Sequence, residues 1–245
     1  MNVTIMRLTT RQLLGQKRTI LMLVFALIPV SIAILFRVAA EDVDPERWTA
    51  QRLLGGLVVG TFLPLAALVF GTAALGTEFE DGTAPYLLSK PIPRYEVVIS
   101  KLVVAWAATT VIVLMVTLVA GAIGLWGEGG LSILLGFGVA VVVGSLVYNA
   151  AFVWLSIATS RALIVGLAYV FLWENVIAGL FAGVRFLSIR QYTLGMAGGL
   201  MDMPARVFDA RLGLAAALIL SIVVTGLALY FAVRGLRRWE IGEAA

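Results

Sequence analysis

The chain has 245 residues, of which 61% are hydrophobic and 13% charged, and it carries a formal net charge of +4. Its apolar residues fall in blocks as long as the ~20 residues needed to cross hydrocarbon, or longer, and the blocks are apolar around their whole circumference, which describes one polytopic membrane domain over 1–245 and excludes a soluble fold around a single core. With neither histidine nor cysteine, the chain excludes disulfides, His/Cys zinc sites, haem ligation through histidine, Ser-His-Asp triads and Cys-His dyads together, so no metal site and no catalytic residue is predicted.

Residues 1–18 form a basic lead-in. Val3, Met6, Leu13 and Leu14 share one side of a helix, with Arg7, Arg11 and Arg18 beside it, a pattern suited to lying along the inner leaflet; a frayed tail is the competing reading. The first span is expected at 19–36. Lys17-Arg18 before it and Val38-Ala39-Ala40 after it imitate a signal peptide, but the apolar run exceeds the ~7–15 residues of a signal core, so it reads as an uncleaved helix. A short acidic loop, Glu41-Asp42-Val43-Asp44-Pro45-Glu46, leads to the second span at 53–75. Pro29 and Pro64 are expected to kink these two spans. Gly56-x-x-x-Gly60, like Gly179-x-x-x-Gly183 further on, permits close helix contact, although such pairs arise by chance among 25 glycines.

Between the second and third spans lies the most polar interruption of the chain. Residues 76–101 carry seven charges, Glu78, Glu80, Asp81, Lys90, Arg94, Glu96 and Lys101. Gly82-Thr83 can start a short helix with Thr83 as its cap and Pro85 in the first turn. Tyr86, Leu87 and Leu88 then make an apolar surface, Pro91 and Pro93 stop that helix, and Pro93 opens the next one, carrying Arg94 into the third span. The expected product is a rigid elbow at the membrane surface; a solvated loop with helix caps is the alternative.

The third span, 102–126, contains Thr109-Thr110 and ends in the tight turn Gly127-Glu128-Gly129-Gly130. The fourth, 131–159, is longer than a perpendicular crossing requires at ~1.5 Å per residue, so it should tilt or protrude; it carries Tyr148-Asn149. In the fifth, 162–181, Glu174 is the only acidic residue well inside an apolar span, flanked by Trp173 and Asn175. Counted from Arg161 it lies roughly 20 Å along the helix, toward the outer half. Glu174, Asn175, Tyr148 and Asn149 either line a substrate path or pair within the bundle, with Arg185, Arg190 and Tyr148 as the conceivable partners of Glu174. Residues 182–211 mix Phe186, Leu187, Tyr192, Met196, Leu200 and Met201 with arginine and glycine, so this outer segment lies in the interface, dips back into the membrane, or is a plain loop. The sixth span is expected at 212–233. Runs such as Val139-Ala140-Val141-Val142-Val143 exclude a barrel, which needs ~10-residue stretches of alternating polarity. The fold class is all-α, with six transmembrane helices.

If the amino terminus is cytoplasmic, eleven Lys or Arg fall on the inner face and seven on the outer, so the positive-inside rule favours both termini in the cytoplasm. Membrane topology also explains the basic balance better than nucleic acid does, and no nucleic-acid partner is predicted.

The stretches Glu78-Phe79-Glu80-Asp81-Gly82-Thr83 and Leu87-Leu88-Ser89-Lys90-Pro91-Ile92-Pro93-Arg94, followed by Lys101 at the head of a span, resemble the permease subunit of type-2 ATP-binding-cassette exporters. The family carries a Glu-x-x-x-Gly stretch, a Leu-Leu pair and a Pro-x-x-Arg element between spans two and three, within about six spans, a basic lead-in and a structured outer segment. The resemblance implies that 76–101 is a coupling helix docking onto a separate ATPase subunit, which binds ATP-Mg, and that two permeases, alike or different, work with two ATPases. Glu78, Glu80 and Arg94 would pair charges across that surface and Tyr86, Leu87 and Leu88 would be buried in it, with Gly82 and Pro91 as matched motif positions. The chain has no Gly-x-x-x-x-Gly-Lys-Ser/Thr phosphate loop, in keeping with this division of labour, and no cofactor of its own is expected. The cargo implied is amphiphilic or hydrophobic and the location a plasma membrane. The competing function is an ion-coupled carrier with Glu174 as its ion site.

Overall fold

The computed structural model describes residues 3–14, 17–39, 43–80, 93–180, 182–201, 208 and 210–242, without the side chains of 3, 4, 14, 17, 18, 77–80, 179, 182 and 238–242. Every regular element among these residues is helical. A helix Val3–Leu14 precedes the first span, Lys17–Ala39. Among the described residues, five helices are long and apolar enough to cross a bilayer: Thr19–Ala39, Pro45–Gly76, Arg94–Gly124, Leu131–Ala158 and Leu214–Arg237. The remaining crossing is shorter and built in pieces, Ala162–Ala168, a π-helical stretch Tyr169–Ile177, and Ala178–Leu180. Six membrane helices result.

The second span is one continuous helix whose start is fixed by Asp44, the side chain of which accepts from the backbone N–H of Glu46 at 3.0 Å and of Arg47 at 3.2 Å. From Thr49 to Phe62 it is π-helical, and at the end of that stretch the Leu63 N–H reaches back to the Val58 carbonyl. Pro64 follows directly. It has no N–H to give, and its ring crowds the carbonyl four residues back in a regular α-helix. Widening to an i→i+5 pattern meets that conflict, so the structure answers the expected Pro64 kink with a π segment.

The second and fourth spans form the centre of the bundle. Phe62, Phe70, Phe137, Tyr148 and Phe152 are buried between them and their neighbours. The first, third and sixth spans instead turn Leu27, Leu35, Met115, Ile219 and Ile222 outward, the surface a lipid environment covers in place of protein. At the end of the bundle away from the connector, Phe36 stacks on Trp48 with ring centroids 3.7 Å apart, and the Arg37 guanidinium donates to the Trp126 carbonyl at 2.7 Å. Gly127 and Gly129, with φ of 89° and 64°, make the tight turn expected there.

The segment after the fifth span dips back into the bundle. A 3₁₀ turn, Ala182–Leu187, leads through Ser188 into a helix Ile189–Leu200 that packs along the fourth span. Its depth follows from two glycines. A Cβ on Gly144 would meet Thr193 Oγ1 at 2.4 Å, and one on Gly136 would meet Met201 Cγ at 2.6 Å. Gly144 lies about 20 Å and Gly136 about 8 Å along the fourth span at 1.5 Å per residue, so the re-entrant helix begins deep in the bundle and climbs back out. The described part of this segment, through Met201, is therefore ordered by packing on the fourth span. Gly144→Ala is expected to cost about 1–3 kcal/mol, because the crowded atoms belong to a short β-branched side chain that has little room to move. Unfolding in detergent, compared with Gly138→Ala, whose added Cβ would meet only Leu114 at 3.5 Å, checks it.

Candidate functional site

The connector is described only at its two ends. Glu78 and Glu80 lie on the last turn of the helix Leu63–Glu80, their side chains outside the description, and Gly82, Tyr86, Leu87, Leu88 and Pro91 lie outside the described residues. Pro93 opens the third span as expected: its carbonyl accepts from Glu96 N at 2.9 Å and Val97 N at 3.4 Å, so the helix starts at Arg94 rather than near 102. This early start corrects the place of Lys101, expected at the head of the span. Two turns inside the helix, it is 1% exposed and its ammonium donates to the Ala74 carbonyl at 2.6 Å, tying the third span to the second beneath the connector. Lys101→Ala removes a charge-assisted bond from a dry site and should cost about 1.5–3 kcal/mol, read as a lower unfolding midpoint of the solubilised chain.

A buried polar cluster is built around Glu174, which is 1% exposed. Its Oε1 accepts from the Tyr169 hydroxyl at 2.8 Å, the Tyr148 hydroxyl at 3.2 Å, Ile189 N at 2.9 Å and Arg190 N at 3.4 Å. Its Oε2 accepts from the Ser188 hydroxyl. Ser188 Oγ in turn accepts from Gln191 N at 3.2 Å, and the Ser188 carbonyl takes Tyr192 N at 3.3 Å. All four leading N–H groups of the re-entrant helix are thereby satisfied, two of them by Glu174. A helix that begins inside a bilayer has no water to do this, and its N-terminus carries partial positive charge. A carboxyl group from the neighbouring span supplies acceptor and field together.

The π-helical stretch makes the cluster possible. On a regular α-helix at about 100° per residue, Tyr169 and Glu174 would point about 140° apart. Where the repeat is i→i+5, residues five apart stack on one face, and the Tyr169 hydroxyl reaches Glu174.

Of the expected partners of Glu174, Tyr148 engages it by side chain and Arg190 by its backbone; among the described residues Arg185 shows no bond to it. Asn175 turns away from the cluster and is exposed, its amide donating to the Val170 carbonyl at 2.9 Å and accepting from the Arg190 guanidinium at 3.4 Å. Asn149 belongs to a different seam. Buried between the third and fourth spans, it donates to Thr109 Oγ1 at 3.0 Å and to the Ser145 carbonyl at 2.7 Å, while Thr110 and Ser145 share a bond of 2.6 Å. The four predicted residues thus fall in three places: Glu174 and Tyr148 in the cluster, Asn149 in the seam between the third and fourth spans, and Asn175 on the exposed side of the fifth. Of the glycine pairs, Gly60 lets the Arg190 guanidinium of the re-entrant helix come within 3.0 Å of where its Cβ would be, and Gly183 meets nothing within 4 Å.

Sequence reasoning missed Tyr169 and Ser188, and put Lys101 at the head of a span rather than inside it. Only Ser188 carried a local signal, since Ser188-x-x-Gln191 has capping-box spacing.

The described residues form a bundle of apolar spans with a helix folded back against the fourth span after the fifth. A family model for the ABC-2 family transporter protein matches residues 4–231, and the chain belongs to that family. It is a permease component, not a catalytic domain. No curated protein matches the chain significantly.

Proposed function

We propose that this permease moves an amphiphilic or hydrophobic substrate across a plasma membrane, driven by a separate ATPase that docks on residues 76–101. Both termini face the cytoplasm, and two permease chains, identical or not, act together. The observation that carries this reading is the ABC-2 family match over 4–231, on a chain that holds no phosphate loop of its own. The charge balance supports the orientation. An ion-coupled carrier would need an acidic group that exchanges its partners with water or ions, whereas both oxygens of Glu174 are engaged in capping a buried helix. Affinity purification of the chain from its native membrane tests the proposal. An ATPase bearing a Gly-x-x-x-x-Gly-Lys-Ser/Thr loop is expected to co-purify, with turnover that depends on the chain. Robust transport by the isolated chain, indifferent to ATP and abolished by Glu174→Gln, would sink it.

A further inference from the structure

At the end of the bundle away from the connector, a cavity of about 410 Å³ opens between the second span, the fifth span and the re-entrant helix. Its polar lining is Gln51, Glu174, Arg190, Gln191 and Arg211, and its apolar wall is Leu194 and Phe208. Among the described residues its charges are unbalanced. Against two guanidinium groups stands one carboxyl group, whose oxygens already accept five hydrogen bonds from Tyr148, Tyr169, Ser188, Ile189 and Arg190. Arg190 is held in place by its surroundings: its backbone is fixed in the helix cap, and its guanidinium packs on the face of Gly60, a position where no side chain competes for the space. Yet the Arg190 Nε is buried without a hydrogen-bond partner among the described residues, and the guanidinium's bond to Asn175 is long, at 3.4 Å. Gln191, 9% exposed, brings a further amide to the same wall, while Arg211 is exposed at the mouth.

A guanidinium whose buried Nε lacks an acceptor among the described residues, a second one at the entrance and an apolar wall between them match one ligand chemistry. We infer that this cavity binds the anionic, phosphate-type head of an amphiphile, with Arg190 as the inner contact, Arg211 as the outer one, and the first carbons of the tail against Leu194 and Phe208. Glu174 acts here as a positioning residue: it holds the turn on which Arg190 and Gln191 stand. That the bound amphiphile is cargo rests on the permease reading. Binding itself rests on the cavity alone, and the two are measured apart, binding on the isolated chain and ATP-dependent release only with an ATPase present.

The test is a titration of the purified full chain in detergent with a fluorescent short-chain phosphatidic acid, its phosphatidylcholine counterpart, and inorganic phosphate as a competitor. The phosphatidic acid should bind at least about tenfold tighter than the choline lipid, the scale of one charge-assisted bond, and inorganic phosphate should compete only at far higher concentration. Arg190→Gln and Arg211→Gln should each weaken the anionic lipid about tenfold and weaken the choline lipid, whose phosphate is offset by its ammonium, by less. Gly60→Ala, which keeps every charge but crowds the Arg190 guanidinium, should weaken it several-fold, and serves if Arg190→Gln does not fold. Equal binding of the two lipids, an Arg190→Gln/Arg211→Gln chain that holds phosphatidic acid like the parent, or phosphate competing as well as the lipid would each overturn the assignment. Asp209 lies outside the described residues, so Asp209→Asn is included. A gain in affinity of tenfold or more there would mean that the chain's own carboxylate is the occupant, and would overturn it too.

Discussion

Replacing Glu174 by leucine is expected to be the most damaging single change in the membrane domain. It leaves Ile189 N, Arg190 N and the hydroxyls of Tyr148, Tyr169 and Ser188 facing an apolar side chain. Each buried donor left without an acceptor costs about 1–3 kcal/mol, although hydroxyls that rotate toward other acceptors recover part of this, and measured side-chain bonds in membrane proteins average only about 0.6 kcal/mol. The two backbone N–H groups have no such freedom. A loss on the order of 3 kcal/mol follows, with the re-entrant helix released from the fourth span. Glu174→Gln is milder. Its carbonyl oxygen can take the place of Oε1, and its amide can donate to the Ser188 hydroxyl, so a cost of about 1 kcal/mol is expected. The pair of variants separates structure from ion coupling. Unfolding midpoints should fall steeply for leucine and slightly for glutamine, and transport by the glutamine variant, per folded molecule, should stay within a few-fold of the parent. A glutamine variant of full stability and no transport would instead make Glu174 an ion site.

The second large effect is expected at the connector. Glu78→Lys combined with Arg94→Glu reverses charge at both ends of the docking segment and sets like charges against any surface complementary to the native ones, which costs several kcal/mol across an interface. Stimulation of the partner ATPase should fall by more than tenfold while the chain still inserts at normal levels. ATPase binding that is unchanged in the double variant would remove these residues from the interface.

The architecture was legible because its signal is carried by length. An apolar block of about 20 residues can do little except cross a bilayer as a helix, and local rules then fixed the ends, as at Pro93, where the missing N–H and the preceding proline start a helix at Arg94. The π segments were not legible. Their cause is a conflict between Pro64 and its preceding turn in one span, and the demand of Glu174 for Tyr169 in the other, and neither leaves a periodicity in an all-apolar stretch. Lys101 was misjudged for a related reason. A lysine at the edge of an apolar block reads as an aqueous anchor until the helix is known to begin two turns earlier. The Glu174 cluster was half legible: an acidic residue inside a span announces a partner, but the partner proved to be the start of a helix fifteen residues on, joined to it only by the folded chain. Asn175 and Asn149, adjacent in sequence to the cluster's members, point to other faces of their helices, which spacing alone does not reveal.

Because the chain has no cysteine, a single one introduced at Leu87→Cys gives a clean chemical probe of the connector. Labelling with a maleimide–diazirine photo-cross-linker in native membranes, whose diazirine inserts into any neighbouring chain on irradiation, followed by mass spectrometry of the adduct, is predicted to recover an ATPase carrying a phosphate loop, and to recover less of it when Glu78→Lys and Arg94→Glu are added. A folded, inserted chain whose residue 87 reacts freely with soluble maleimide but never captures an ATPase would contradict the account.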